Sequence, residues 1–217
     1  SSLTCSRWNW NCSALGAPQA KSPSRSVMKP STETLIEKIS MPSIVPQSCA
    51  PMAMRDTHPM RRVNLADPPL TFDDDDPEGF RAGMLRFGPQ LGAEQTGASY
   101  YELPPGQALC PYHYEHGEEE WVIVLAGTPS VRTPDGVEEL APLDVVFFPR
   151  GPEGAHQLRN DAAEPARILM WSTVVYPTVS VYPDSGKIGV WTAGKADDVI
   201  VERSSTVDYF RGETPGH

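Results

Sequence analysis

From residue 80 to residue 203 the chain is built of short segments in which apolar and polar positions alternate, broken every few residues by proline, glycine or acidic clusters. A period of two marks half-buried strands, because successive side chains leave a strand on opposite faces. On that pattern strands are expected near 80–87, 98–103, 109–115, 120–126, 129–132, 137–140, 144–148, 156–159, 166–175, 179–182, 187–191 and 199–203. Between them PPG, PDG, PRGPEG and PDSG read as turns, in which proline presets the first corner and glycine accepts positive φ. Many short strands at this spacing predict an all-β sandwich or barrel. The one stretch of helical character, 32–39, lies outside this region.

Composition divides the chain. Before Asp56 the only acidic residues are Glu33 and Glu37, serine and proline are frequent, and no strand pattern develops. Residues 1–55 therefore read as a low-complexity, disordered N-terminal extension, and 56–217 as the folded domain. A Ser-rich, acid-poor leader is also what an organellar transit peptide or an unrelated translated leader looks like. Of the 28 acidic residues 25 lie from Asp67 onward, against 10 of the 18 basic ones, so the folded part is more acidic than the chain's net charge of -10 suggests. Such a surface repels phosphate backbones, and no basic stripe offsets it, so nucleic acid is not an expected partner. No apolar run reaches the ~18 residues of a membrane span, so no membrane partner is expected either. Cys5, Cys12, Cys49 and Cys110 show neither metal nor disulfide spacing, which favours a reducing, cytoplasmic setting. The acidic run DDDDPEGF, 73–80, lacks the spacing and closing glutamate of a calcium loop and reads as a solvated turn.

The concentrated chemistry lies in CPYHYEHGEEEWVIVLAG, 110–127, which places two histidines and four glutamates ahead of an almost uncharged strand. If 109–115 is a strand, His113 and Glu115 share one face, while Cys110, Tyr112 and Tyr114 share the other. A hairpin through HGEE would then return Glu120 beside them, with Glu118 and Glu119 left in a solvated turn. Were the strand to fray early, His116 would replace Glu115. His156, just after PRGPEGA, offers a further nitrogen ligand. Imidazole and carboxylate together suit a borderline divalent ion, and carboxylates buried without a cation would be costly.

These stretches resemble the two motifs of the cupin superfamily, G-x5-H-x-H-x(3,4)-E-x6-G and G-x5-P-x-G-x2-H-x3-N. The chain reads Gly106, six residues, His113, Tyr114, Glu115, four residues, Glu120, six residues, Gly127, and later Pro149, Arg150, Gly151, four residues, His156, three residues, Asn160. The resemblance covers about 98–175 and implies a double-stranded β-helix, or jelly-roll barrel, holding one divalent transition metal (Fe, Mn, Ni or Zn). Carried over position by position, the ligands implied are His113, Glu115, Glu120 and His156. Glu115 stands where the family has a second histidine, Leu143 replaces the glycine expected before Asp144, and the turn from Gly151 to His156 is two residues longer than the pattern. The tail at 171–191, WSTVVYPTVSVYPDSGKIGVW, resembles the C-terminal extension, here 176–213, of a bacterial group of single-domain cupins without an assigned function.

Around these positions Asn160 is a candidate hydrogen-bond donor behind the ligands, and Arg150 a candidate cation for an anionic substrate. Tyr112, Tyr114 and Trp121 are expected on an outer face or subunit interface, Cys110 is expected as a structural thiol, and Phe147 and Phe148 are expected in the core. The resemblance implies a metal-dependent enzyme of oxygenase or isomerase type acting on a small polar molecule within the barrel, and a homodimer. The alternative is a non-catalytic cupin that binds a small molecule or a metal. A metal-free epimerase type would need a His–Asp pair in the barrel, for which Asp144 is the nearest candidate.

Overall fold

The computed structural model describes residues 60–215. The extension 1–55, the helix expected at 32–39 and three of the four cysteines lie outside the described residues. Twelve strands follow in order: β1 Gly83–Arg86, β2 Thr96–Leu103, β3 Tyr114–Glu115, β4 Glu120–Ala126, β5 Ser130–Thr133, β6 Gly136–Glu139, β7 Val145–Phe148, β8 Gln157–Arg159, β9 Ala166–Thr173, β10 Thr178–Tyr182, β11 Lys187–Trp191 and β12 Val199–Glu202. Among the described residues only single 3-10 turns interrupt them, and no helix is long and apolar enough to cross a membrane. The all-β, jelly-roll expectation holds.

The strands form three antiparallel sheets, in the orders β1-β2-β9-β4-β7, β6-β5-β8 and β12-β11-β10-β3. Inward positions of β2, β4 and β9 supply Leu103, Val122, Val124, Ile168 and Met170, and the facing three-stranded sheet supplies Val131 and Leu158. Leu103, Val122, Val124, Leu158 and Ile168 are fully buried, as expected where two alternating sheets close on one another. Asn160 is equally buried, but it serves the backbone rather than the metal site. Its amide donates to the carbonyls of Leu103 and Glu164 at 2.8 Å each, and its side-chain oxygen accepts from the Ala162 N–H at 3.1 Å. The donor role expected behind the ligands is thereby corrected: both amide hydrogens are already committed to carbonyls at the far end of β8.

Two strand expectations need correction. Of the stretch 109–115 only Tyr114–Glu115 is a strand; before it the chain touches its neighbours through isolated bridges, Ala108 with Arg159 and His113 with His156. β3 joins β10, and β4 joins β7 and β9, so Glu115 and Glu120 belong to two different sheets and not to one hairpin. Phe147 is the second case. Along β7 it alternates with buried Phe148 and turns outward, 42% exposed, against Trp121 at a ring separation of 4.5 Å. Trp121 stacks in turn on Trp171 at 6.0 Å, giving the aromatic outer face expected of Trp121.

The turn into β7 explains one departure from the cupin pattern. Leu143, where a glycine was expected, has φ of 75°, and its N–H donates to the Val124 carbonyl at 2.7 Å while Asp144 caps Ala141. A left-handed backbone costs a leucine about 1–2 kcal/mol, and here the side chain recovers little because it is 73% exposed. Leu143→Gly is expected to raise unfolding stability by about 1 kcal/mol after the entropic cost of glycine, measured by urea denaturation; a loss of stability would contradict this account of the turn.

Candidate metal centre

Three side chains converge between the sheets. Glu120 opens β4 and faces inward with Val122 and Val124, flanked across the strands by Phe148 and Ser172. His113 and His156 face one another across the isolated bridge, His156 N–H donating to the His113 carbonyl at 2.8 Å and His113 N–H to the His156 carbonyl at 3.1 Å. Their rings lie 4.9 Å apart, and Phe148 stacks on His156 at 3.7 Å.

Local backbone geometry sets the chemistry of both rings. Nδ1 of His113 lies 2.9 Å from the Pro111 carbonyl and Nδ1 of His156 lies 2.9 Å from the Gly154 carbonyl. A carbonyl oxygen only accepts, so each Nδ1 carries the hydrogen and each Nε2 presents a lone pair. The longer turn in the second motif winds as the 3-10 turn Pro152–Gly154, which delivers the Gly154 carbonyl to His156. A Cβ at Gly154 would collide with the Pro149 carbonyl oxygen, so the turn closes only with glycine there.

Nε2 of His156 is buried without a hydrogen-bond partner among the described residues and stands 3.5 Å from Glu120 Oε2. Ligand atoms of His113, Glu120 and His156 all lie within 4.8 Å of one another, a group that can hold a metal ion. Burial, the larger cause in both, lowers the pKa of His113 to about 4 and that of His156 to about 3. Both rings are therefore neutral near pH 7, the form in which imidazole ligates.

Glu115 is near this group and held differently. Its Oε1 lies 4.0 Å from His113 Nε2 but accepts a 2.6 Å hydrogen bond from Ser180, while Oε2 accepts from Thr178 at 3.4 Å. Burial raises its pKa to about 8, with neighbouring Glu118 adding to the shift and the Ser180 bond opposing it. His116 points away from the cluster, exposed and edge-on to Tyr114 at 5.3 Å. Arg150 is more than half exposed and meets Glu119 at 3.8 Å, an ion pair in solvent and not part of the pocket wall.

The pocket lined by His113 and Glu120 is partly open to solvent, and its wall includes residues that sequence reasoning missed or misplaced. Glu118, expected in a solvated turn, is 2% exposed and lines it. Counting back two positions from Glu120 along an alternating strand would have found it. Cys110 also lines the pocket, its Sγ 3.6 Å from His113 Nδ1, and burial raises its thiol pKa. The outward placement expected of it fails because 109–113 is not a regular strand, so period-two alternation does not apply. The far wall comes from β10 and β11, with Ser180, Tyr182 and Trp191. In TVSVY the signal was inverted: Thr178 and Ser180 are each 1% exposed, polar positions buried because they bond the Glu115 carboxyl group.

Antiparallel sheets around a His–Glu–His group that can hold a metal ion define a small β-barrel. A family model, the Cupin domain, matches residues 99–172. Residues 99–172 therefore form a domain of the cupin superfamily. Among solved structures it is similar to a putative sugar phosphate isomerase from Acidithiobacillus ferrooxidans (26% identity, TM-score 0.56, covering 60% of this chain and 81% of that one). It is similar also to a cupin-superfamily sugar phosphate isomerase from Silicibacter pomeroyi (25% identity, TM-score 0.55, 58% and 78%). No curated protein matches the sequence.

The buried groups set the pH dependence of the metal-free protein. Both histidine pKa values fall below the ordinary 6.5, so between about 4 and 6.5 the unfolded chain binds protons that the folded one does not, and stability is lost as pH falls through that window. The Glu115 pKa rises from 4.5 to about 8, so its contribution is lost as pH rises across that range. Two histidines outweigh one carboxyl below 6.5, and the carboxyl alone remains above it. Metal-free protein is therefore expected to be most stable near pH 6.5 in thermal melts, and a monotonic rise from pH 6.5 to 8 would contradict the burial of Glu115.

Proposed function

We propose that this protein is a metal-dependent cupin enzyme of isomerase type, in which His113, Glu120 and His156 hold one divalent transition ion (Fe, Mn, Ni or Zn) beneath a pocket for a small polar molecule. The supporting observation is the His156 Nε2 lone pair, buried without a partner and facing a carboxylate oxygen at 3.5 Å. An ionised carboxylate and a lone pair in that position repel one another unless a proton or a cation lies between them, and a divalent cation engages both histidines and the carboxylate at once. The two similar structures described as sugar phosphate isomerases favour isomerisation over oxygenation. When bound, the ion supplies Lewis acidity toward a carbonyl or enediol oxygen. This chain's own residues supply the remainder. Glu118 and Glu115 place two carboxyl groups on the pocket wall, where one can take a proton from the substrate and return it. Tyr101, Tyr182 and Trp191 add aromatic surface to the pocket wall.

The exposed apolar face of Trp121, Val145 and Phe147, with Leu143 at its rim, is the surface through which we propose the protein pairs with a second copy. β7 is the outermost strand of its sheet, so the same face adjoins an unpaired strand edge. Light scattering is expected to give twice the 23.7 kDa chain mass, with Phe147→Glu shifting it toward one; a wild-type monomer would contradict the pairing.

Metal-free protein titrated with Mn(II), Fe(II), Ni(II) and Zn(II) is expected to take up one equivalent of at least one ion. His113→Ala and His156→Ala should each weaken uptake by about 10–100-fold or more while retaining the fold by circular dichroism. The loaded protein is then expected to interconvert an aldose and a ketose, read by NMR. No uptake would contradict the metal reading, and uptake without turnover on a panel of free and phosphorylated sugars would contradict the isomerase reading.

A further inference from the structure

Glu115 lies within reach of the metal group, yet its carboxylate is the end of a hydrogen-bond chain that begins in the C-terminal sheet. Trp191 Nε1 lies 2.6 Å from Ser180 Oγ, and Ser180 Oγ lies 2.6 Å from Glu115 Oε1. An indole N–H can only donate, so the Ser180 oxygen accepts from Trp191 and its single hydrogen is left for Glu115. The direction of the chain is therefore set from the tryptophan end. Thr178 holds the other carboxylate oxygen at 3.4 Å.

The sheet is built to keep this chain in place. Antiparallel pairing puts Ser180 directly opposite Glu115 and, on its other side, opposite Gly189. The Trp191 ring lies over Gly189: a Cβ there would come within 2.7 Å of the indole Cζ2. The glycine thus leaves the space in which the indole reaches Ser180. Trp191 is 6% exposed and Ser180 1%, so neither bond competes with water. All three residues beyond β9 that hold Glu115 lie outside the matched cupin domain, 99–172.

We propose that the Trp191–Ser180 chain is a tether that keeps Glu115 off the metal, so that the ion is held by His113, Glu120 and His156 alone and retains an open coordination position for substrate. The inference rests on the metal reading above and adds positioning roles for Ser180 and Trp191 through Glu115. An open position is what separates a site that works on a bound molecule from a closed structural one. With Glu115 Oε1 4.0 Å from His113 Nε2, a side chain released from Ser180 needs only a rotamer change to become a ligand.

Co(II) tests this directly, because its visible bands report coordination number and its affinity can be titrated on the intact chain without an activity assay. Ser180→Ala is expected to bind Co(II) about tenfold more tightly than wild type, with weaker visible bands as a further ligand joins. Trp191→Phe, which keeps a ring over Gly189 but removes the donor, is expected to change both readouts in the same direction. Ser180→Ala combined with Glu115→Gln should return the spectrum and affinity to wild type, a reversal that a merely structural effect of losing Ser180 would not give. If Ser180→Ala does not fold, Trp191→Phe and its combination with Glu115→Gln carry the test. Wild-type spectra and affinity in the tether variants would overturn the proposal, as would a loss of tenfold or more in Co(II) affinity for Glu115→Gln alone, which would make Glu115 a ligand. If wild type takes up no Co(II), the metal reading itself fails and the tether falls with it.

Discussion

The arrangement of the barrel interior turns on one contact that is unfavourable while the carboxylate is ionised, the approach of His156 Nε2 to Glu120 Oε2 at 3.5 Å inside the fold. Each imidazole spends its hydrogen on a backbone carbonyl, Pro111 for one and Gly154 for the other. What remains facing the carboxylate is a lone pair, and solvent does not reach it. Protonating the ring would relieve the repulsion, but burial lowers its pKa to about 3 and makes that costly at neutral pH. A divalent cation relieves it without placing a proton on either histidine.

The scaffold holds this contact from two directions. The bridge between His113 and His156 fixes the rings relative to one another through backbone bonds in both directions. Glu120 arrives from the opposite sheet at the head of β4, anchored by β9 and β7 on either side. His113 and His156 lie just before β3 and β8, and their two-way bridge ties them to one another. That is how a site placed between closed sheets achieves the preorganisation that metal binding and catalysis require.

Much of this was legible in the residue pattern because strand alternation is a local property. β4 and β11 begin and end where alternation predicts, and the inward face of Glu120, Val122 and Val124 follows from it. His113 and His156 were recognisable from their motifs, and they meet. What alternation could not convey was which sheet each strand joins. The pairing of Tyr114–Glu115 with β10 brings a serine and a tryptophan from 65 and 76 positions downstream (180 − 115 and 191 − 115) into contact with Glu115 or its partner. Long-range partners leave no local signature, and a buried polar pair such as Thr178 and Ser180 reads as an outward face until its partner is known. Cys110 was misplaced for the related reason that irregular chain with one isolated bridge at His113 stands where a regular strand was assumed.

The C-terminal sheet changes what the motif implies. In the family pattern the position of Glu115 belongs to a ligand, whereas in this chain its carboxylate is already bonded by residues that follow the matched domain. Crystals soaked in Mn(II) and measured for anomalous scattering offer the most direct examination of the central convergence. The account predicts one strong peak bounded by His113 Nε2, His156 Nε2 and the Glu120 carboxylate. A peak only at surface carboxylates, with an ordered water donating to His156 Nε2 in its place, would contradict it.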